Sequence, residues 1–290
     1  MDSALTIIEV DGHEIAVEDA GPDSGFPVLV HHGGSRHLFA GAVAAARASD
    51  VRLISYDRPG QGRSTPQPGR TVADCARDVR AIFHALDITR AAVWGVSSGG
   101  PYALATAALL PEHVASVCLF ASLGPYGEPE LDFAEGMGDR FREQIRVFFE
   151  EPEKARADFR AESADWAALG SSPDWWLQRW GDRAGTDDAH SRETAEYLAL
   201  INRDGYAEGD EGWWEDWRAS FLPWRFSLAA IRAPVALWHG LQDTSPPPEH
   251  SRWLARHIPK AAAHFPPDED HTNVEENNRR AAIDWVREHI

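Results

Sequence analysis

Lysine is almost absent: Lys154 and Lys260 are the only two among 28 basic residues, set against 46 acidic ones. The resulting net charge of −18 would repel polyphosphate, so nucleic acid is not an expected partner. The bias toward arginine fits the codon usage of a GC-rich genome more simply than it fits salt adaptation. Cysteine is equally scarce. Cys75 and Cys118 cannot build a disulfide framework or a cysteine metal cage, and both fall in segments expected to be core. No apolar run approaches the roughly 20 residues a membrane-spanning helix needs, so no membrane partner is expected. The first residues, Met1-Asp2-Ser3, are acidic with no apolar segment behind them. A secretory leader is therefore not expected, and the cytoplasm is the expected compartment.

What the chain does have is apolar content, 43% over 290 residues, enough for a large core. Its first part alternates between two periods. Leu5–Val10 and His13–Asp19 read as strands around an Asp11-Gly12 turn. Pro27–His31, Val51–Tyr56, Ala91–Val96 and Val114–Phe120 read as strands buried on both faces. Between them lie helical stretches at Leu38–Ala48, from a Thr71/Asp74 capping box to Leu86, and at Ser98–Leu110. Repeated strand–helix alternation implies a parallel sheet covered on both sides. From about Tyr126 to Arg225 the strand signal stops. That stretch carries 24 acidic and 12 basic residues and eight of the twelve tryptophans. Alternation then resumes with strand Ala233–His239, a helix near Pro248–His257, strand Ala261–Phe265 and helix Val274–Ile290. The pattern predicts a core at 1–125 and 226–290, interrupted by a helical, Trp-rich segment at 126–225.

Chemistry concentrates at Gly95-Val96-Ser97-Ser98-Gly99, between a predicted strand and a predicted helix. Flanking glycines permit a tight turn that lifts one hydroxyl clear of the sheet, above a helix N-terminus able to stabilise an oxyanion. Only Ser97 has glycine at both −2 and +2, which selects it over Ser98 as nucleophile. A serine needs a base, and the base needs an orienting carboxylate. Asp243 follows a strand in Gly240-Leu-Gln-Asp243, and His271 follows the next strand, completing the order Ser97, Asp243, His271. Asp57 is the rival acid, expected instead to pair with Arg58 or Arg63. His264 is the rival base, expected to be a core histidine within its strand. His31, His32 and His37 have no standard zinc spacing, so no metal is expected; a turn-stabilising role suits His32 better.

The His31-His32-Gly33-Gly34-Ser35 turn, Asp57-Arg-Pro-Gly-Gln-Gly-Arg-Ser64, the Ser97 elbow, Gly-x-x-Asp243 and the terminal His271 together resemble the α/β-hydrolase family. One departure is that His271 follows Asp268-Glu269-Asp270 where that family's histidine usually follows glycine. The resemblance implies the α/β-hydrolase fold: a mostly parallel sheet with helices on both faces and an inserted helical cap. It implies a catalytic triad of Ser97, Asp243 and His271, an oxyanion hole from the Gly34 and Ser98 amides, and no cofactor. The implied activity is that of a cytoplasmic serine hydrolase, an esterase acting on a carboxylic ester or lactone. Adjacent tryptophans point about 100° apart on a helix and cannot share one stripe. Trp175, Trp176, Trp213 and Trp214 are therefore expected to bind a neutral, moderately hydrophobic small-molecule substrate. Peptidase, C–C hydrolase, thioesterase and perhydrolase activities, or a small-molecule receptor role, remain open on the same residues.

Overall fold

The computed structural model of the chain describes residues 4–290 except 35, 39 and 185–188; at 4, 40, 41, 179–184 and 189–191 it describes backbone alone. Ser35 of the glycine turn, and the side chain of Trp180, one of the eight tryptophans of 126–225, lie outside the described residues. Strands β1 (Ala4–Val10), β2 (His13–Ala20) and β3 (Phe26–His31) lead into helix α1 (Ala40–Arg47) and β4 (Val51–Tyr56). Then come α2 (Cys75–Ala85), β5 (Ala91–Val96), α3 (Gly100–Leu109) and β6 (Val114–Phe120). Five helices follow: α4 (Asp139–Glu150), α5 (Pro152–Leu169), α6 (Pro173–Ala184), α7 (Ala189–Gly205) and α8 (Glu211–Ser220). The chain returns to the sheet with β7 (Val235–Trp238), α9 (Glu249–His257), β8 (Ala261–His264) and α10 (Val274–Glu288).

The eight strands form one sheet in the order β1-β2-β4-β3-β5-β6-β7-β8. The β1–β2 and β2–β4 pairs are antiparallel and the remainder parallel. Period-2 alternation sends Val117 and Leu119 of β6, and Val235 and Leu237 of β7, toward α3 and α9. Cys118 and Phe120, with Ala236 and Trp238, face α1 and α10 instead. Continuous apolar runs were needed because both faces are covered. The expected capping box forms, with the Thr71 amide and hydroxyl on Asp74 Oδ2 at 2.7 and 2.8 Å. Cys75 and Cys118 are free and buried, and burial pushes both thiols up, away from the thiolate form.

His264 departs from expectation. It is exposed rather than core, because β8 is the sheet's last strand, and its ring stacks on Trp238 at 5.0 Å. No described helix is long and apolar enough to cross a membrane.

Candidate active site

Parallel strands deliver their following loops to one edge of the sheet, where crossovers leave a crevice. Ser97 begins the turn after β5 with φ of +55°, a left-handed conformation uncommon for a side-chain-bearing residue and the mark of a tight turn. Glycines allow that elbow to sit tightly. A Cβ on Gly95 would meet Ala103 Cβ at 2.8 Å, and one on Gly99 would lie 2.0 Å from the His31 carbonyl oxygen. Ser97 is half-buried and Ser98 Oγ donates to Gly33 O at 3.4 Å.

Asp243 and His271 come from different loops, after β7 and after β8, and the backbone ties those loops together. Leu241 N–H donates to Pro266 O and Gln242 N–H to Glu269 O, each at 2.9 Å. Gly240 makes this approach possible, since a Cβ there would sit 2.2 Å from Glu269 O. His271 Nδ1–H donates to Asp243 Oδ2 at 2.8 Å. Ser245 N–H donates to Asp243 Oδ1 at 2.8 Å, and buried His239 Nε2 lies 3.3 Å from Oδ2. Burial would raise the Asp243 carboxyl, but the hydrogen bonds of His239, His271 and the Ser245 amide hold it far below the usual range. It is therefore an ionised acceptor that fixes the imidazole with Nδ1 protonated. His239 was not singled out from sequence; only its position just before the Gly-x-x-Asp turn hints at this contact.

Ser97 and His271 line one cavity of about 540 Å³ together with Gly33 and Gly34. Ser97, Ser98 and Gly33 also line a second cavity of about 500 Å³. Gly33 abuts the serine, since a Cβ built on it would lie 3.8 Å from Ser97 Oγ. The amide of Gly34 differs from expectation: it donates to His32 Nδ1 at 3.1 Å rather than standing unengaged. His32 thus braces the glycine turn. Burial, then the neighbouring Arg58 charge, holds it well below 6.5 and so neutral. His31 hydrogen-bonds Thr106 Oγ1 at 3.0 Å, and His37 Nε2 reaches Asp204 Oδ2 at 2.8 Å. No group of metal-ligating side chains occurs among the described residues.

Of the four tryptophans expected to bind substrate, Trp176 and Trp213 line the cavities. Trp175 and Trp214 are absent from both linings among the described residues. Trp175 packs on Trp166 and Trp176, while Trp214 stacks on Trp217 at 5.4 Å. Each adjacent pair thus sends one ring to the cavity and one into helix packing, as a 100° separation requires. Trp166 and Trp217 line the cavities too and lacked any adjacent-pair signal.

The rival acid Asp57 sits fully buried and pairs with Arg36 at 2.6 Å and the Arg63 amide at 3.0 Å. The expected partner Arg58 goes elsewhere, to Asp216 of α8 at 2.7 Å and to His32 O at 2.6 Å. Asp216 also takes Arg70, Gln61 Nε2 at 2.5 Å and Tyr102 Oη at 2.9 Å. Burial opposes its charge, but the two guanidiniums win and lower the carboxyl to about 2. This buried cluster ties the helical segment to the loop after β4.

The family model for the alpha/beta hydrolase fold matches residues 27–278. A non-heme chloroperoxidase of Streptomyces lividans is 30% identical over 251 residues, 82% of this chain and 82% of that protein. The crystal structure of a bromoperoxidase from Bacillus anthracis superposes with a TM-score of 0.73 at 21% identity, covering 99% of this chain and 100% of that one. An alpha/beta hydrolase fold protein from Nakamurella multipartita superposes with a TM-score of 0.65 at 26% identity, covering 98% and 99%. Sheet order, elbow and family match agree: the chain belongs to the alpha/beta hydrolase fold family.

Proposed function

We propose that the protein is a serine hydrolase that cleaves a carboxylic ester or lactone of a neutral, moderately hydrophobic small molecule through an acyl-enzyme. The observation that carries this reading is the 2.8 Å His271–Asp243 hydrogen bond on a cavity wall shared with the strained Ser97. Neutral His271 Nε2 takes the Ser97 hydroxyl proton as the serine oxygen bonds to the carbonyl carbon. The Ser98 amide, at the open start of a helical turn, donates to the resulting oxyanion. The Gly34 amide adds a second donor by sharing its hydrogen between His32 Nδ1 and that oxygen. His271 then gives its proton to the departing alcohol oxygen as the carbon–oxygen bond breaks. Water attacks the acyl-enzyme, passes one proton to His271, and releases the acid as Ser97 recovers it. Asp243 stays ionised and stabilises the imidazolium throughout.

The likeness to a non-heme chloroperoxidase favours one second reading, in which hydrogen peroxide replaces water and the acyl group leaves as a peracid. A series of p-nitrophenyl esters, run with and without peroxide beside Ser97→Ala, tests both. Ester turnover that falls about 10⁴-fold or more in the variant supports the nucleophile. Turnover unaffected by Ser97→Ala overturns it, and peracid formation selects the second reading.

A further inference from the structure

The two cavities are not equivalent around the serine. Gly33, Ser97, Trp166, Tyr206 and Trp213 line both, so the chambers meet above the nucleophile on either side of an aromatic partition. That partition is braced: Tyr206 stacks on Trp213 at 5.0 Å, and Trp213 Nε1 donates to Gly205 O at 2.9 Å. His271 lines only the chamber of about 540 Å³, whose other walls come from β3, β4 and β5 and from helices α1, α5, α6, α7 and α10. Ser98 lines only the chamber of about 500 Å³, which runs beneath α4, α5 and α8.

A general acid must lie within hydrogen-bond reach of the atom it protonates, and here that atom is the departing alcohol oxygen. With the carbonyl carbon bonded to Ser97 Oγ at the shared foot, the oxygen facing His271 directs its substituent into the His271 chamber. The acyl chain then extends into the other. We infer that the substrate has two bulky apolar halves, an aromatic or alicyclic alcohol in the His271 chamber and an extended acyl group in the Ser98 chamber. This rests on the serine-hydrolase reading above and narrows its substrate class.

Size and wall chemistry support the assignment. Each chamber alone falls within the roughly 300–1,000 Å³ of ordinary small-molecule pockets, so an acetyl or methyl group would cover little of either. Trp94, Trp176 and Leu198 give the alcohol side flat and branched apolar surface. Met137, Phe141 and Phe221 give the acyl side its apolar wall, while at the same chamber Arg140 pairs with Glu162 and Lys154 with Asp158. Those charges are paired with one another, which leaves the chamber suited to a neutral acyl group.

Leu198 lines only the alcohol chamber and Met137 only the acyl chamber, and neither is fully buried, so each tolerates a larger side chain. Wild type, Leu198→Trp and Met137→Trp would be assayed on 2-naphthyl acetate and methyl decanoate, with folding followed by circular dichroism. Leu198→Trp is expected to shift the kcat/KM ratio about tenfold toward methyl decanoate, and Met137→Trp about tenfold toward 2-naphthyl acetate. Parallel losses on both esters, or the opposite pattern, overturn the assignment. Equilibrium binding of 2-naphthol and decanoate to Ser97→Ala protein, with and without each Trp substitution, asks the same question without turnover. Loss of naphthol binding only in Leu198→Trp and of decanoate binding only in Met137→Trp supports the assignment; any other pattern overturns it. Esters turned over equally by wild type and Ser97→Ala defeat the serine-hydrolase reading instead.

Discussion

Asp243, bonded to His271, and Asp216, on the wall of the chamber of about 500 Å³, are both buried carboxylates, yet they belong to different kinds of construction. Asp243 sits in a sheet-edge loop, held by two histidines and a backbone amide whose loops are themselves hydrogen-bonded together. Asp216 belongs to the helical insertion and reaches across to Arg58, Arg70, Gln61 and Tyr102 of the core. The first arrangement orients the His271 imidazole. The second attaches α8 to the loop after β4. Backbone contacts reinforce the attachment, because Gly60 and Gly212 touch so closely that a Cβ on Gly212 would lie 2.2 Å from the Gly60 carbonyl carbon. Elsewhere the insertion coheres through aromatic packing, as where Trp217 meets Phe148 and Phe221 edge to face and Phe221 meets Tyr126 and Phe133 in the same way. On the reading proposed above, hydrogen-bonded loops carry the chemistry, and a segment joined by charge and aromatic surface shapes the substrate chamber.

Substituting each carboxylate separates the two roles. Asp243→Asn should lower kcat about 10⁴-fold with the fold retained, because the imidazole loses its tautomer and its counter-charge. Steady-state kinetics with a thermal melt would check this. Asp216→Asn should act in the opposite sense, leaving two buried arginines without their carboxylate and costing about 3–5 kcal/mol of stability in denaturant unfolding.

Acid should sharpen the contrast further. The Asp216 carboxyl is lowered from 3.8 to about 2, so it binds fewer protons folded than unfolded. Its contribution is complete above 3.8 and disappears as pH falls through about 2. Fluorescence of the tryptophans in α8 should therefore stay native down to about pH 4 and change between there and pH 2; a transition centred near neutrality would contradict the cluster's role.

The smallest effects should distinguish neighbours within one helix. Trp213→Ala, which opens the partition, should raise KM about tenfold for bulky esters. Trp214→Ala should cost about 1–3 kcal/mol of stability with KM little changed, since its ring packs on Phe159 and Trp217. Equal KM effects from both would show that the adjacent rings are not divided between cavity and packing.

The sheet and its order of elements were legible because buried parallel strands need continuous apolar runs and covering helices need 3.6-residue periodicity. Ser97 was legible for a similar reason: glycine at 95 and 99 is a local requirement of the elbow, written within five residues. Asp243 could be placed from its own turn, whereas His271 depended on its position after the following strand. Other features left no local trace. Arg58 could have paired with any nearby carboxylate, and its choice of Asp216, 158 residues away, follows from where α8 lands on the loop after β4. The exposure of His264 follows from β8 being an edge strand, which strand-like sequence does not reveal.

Within this protein, then, local backbone demands and hydrophobic period set the elbow, the strands and the helices from the amino-acid order alone. Long-range partners and the division of each tryptophan pair were decided only in three dimensions. Such choices depend on which surfaces the folded sheet brings together, and no short stretch of chain encodes that.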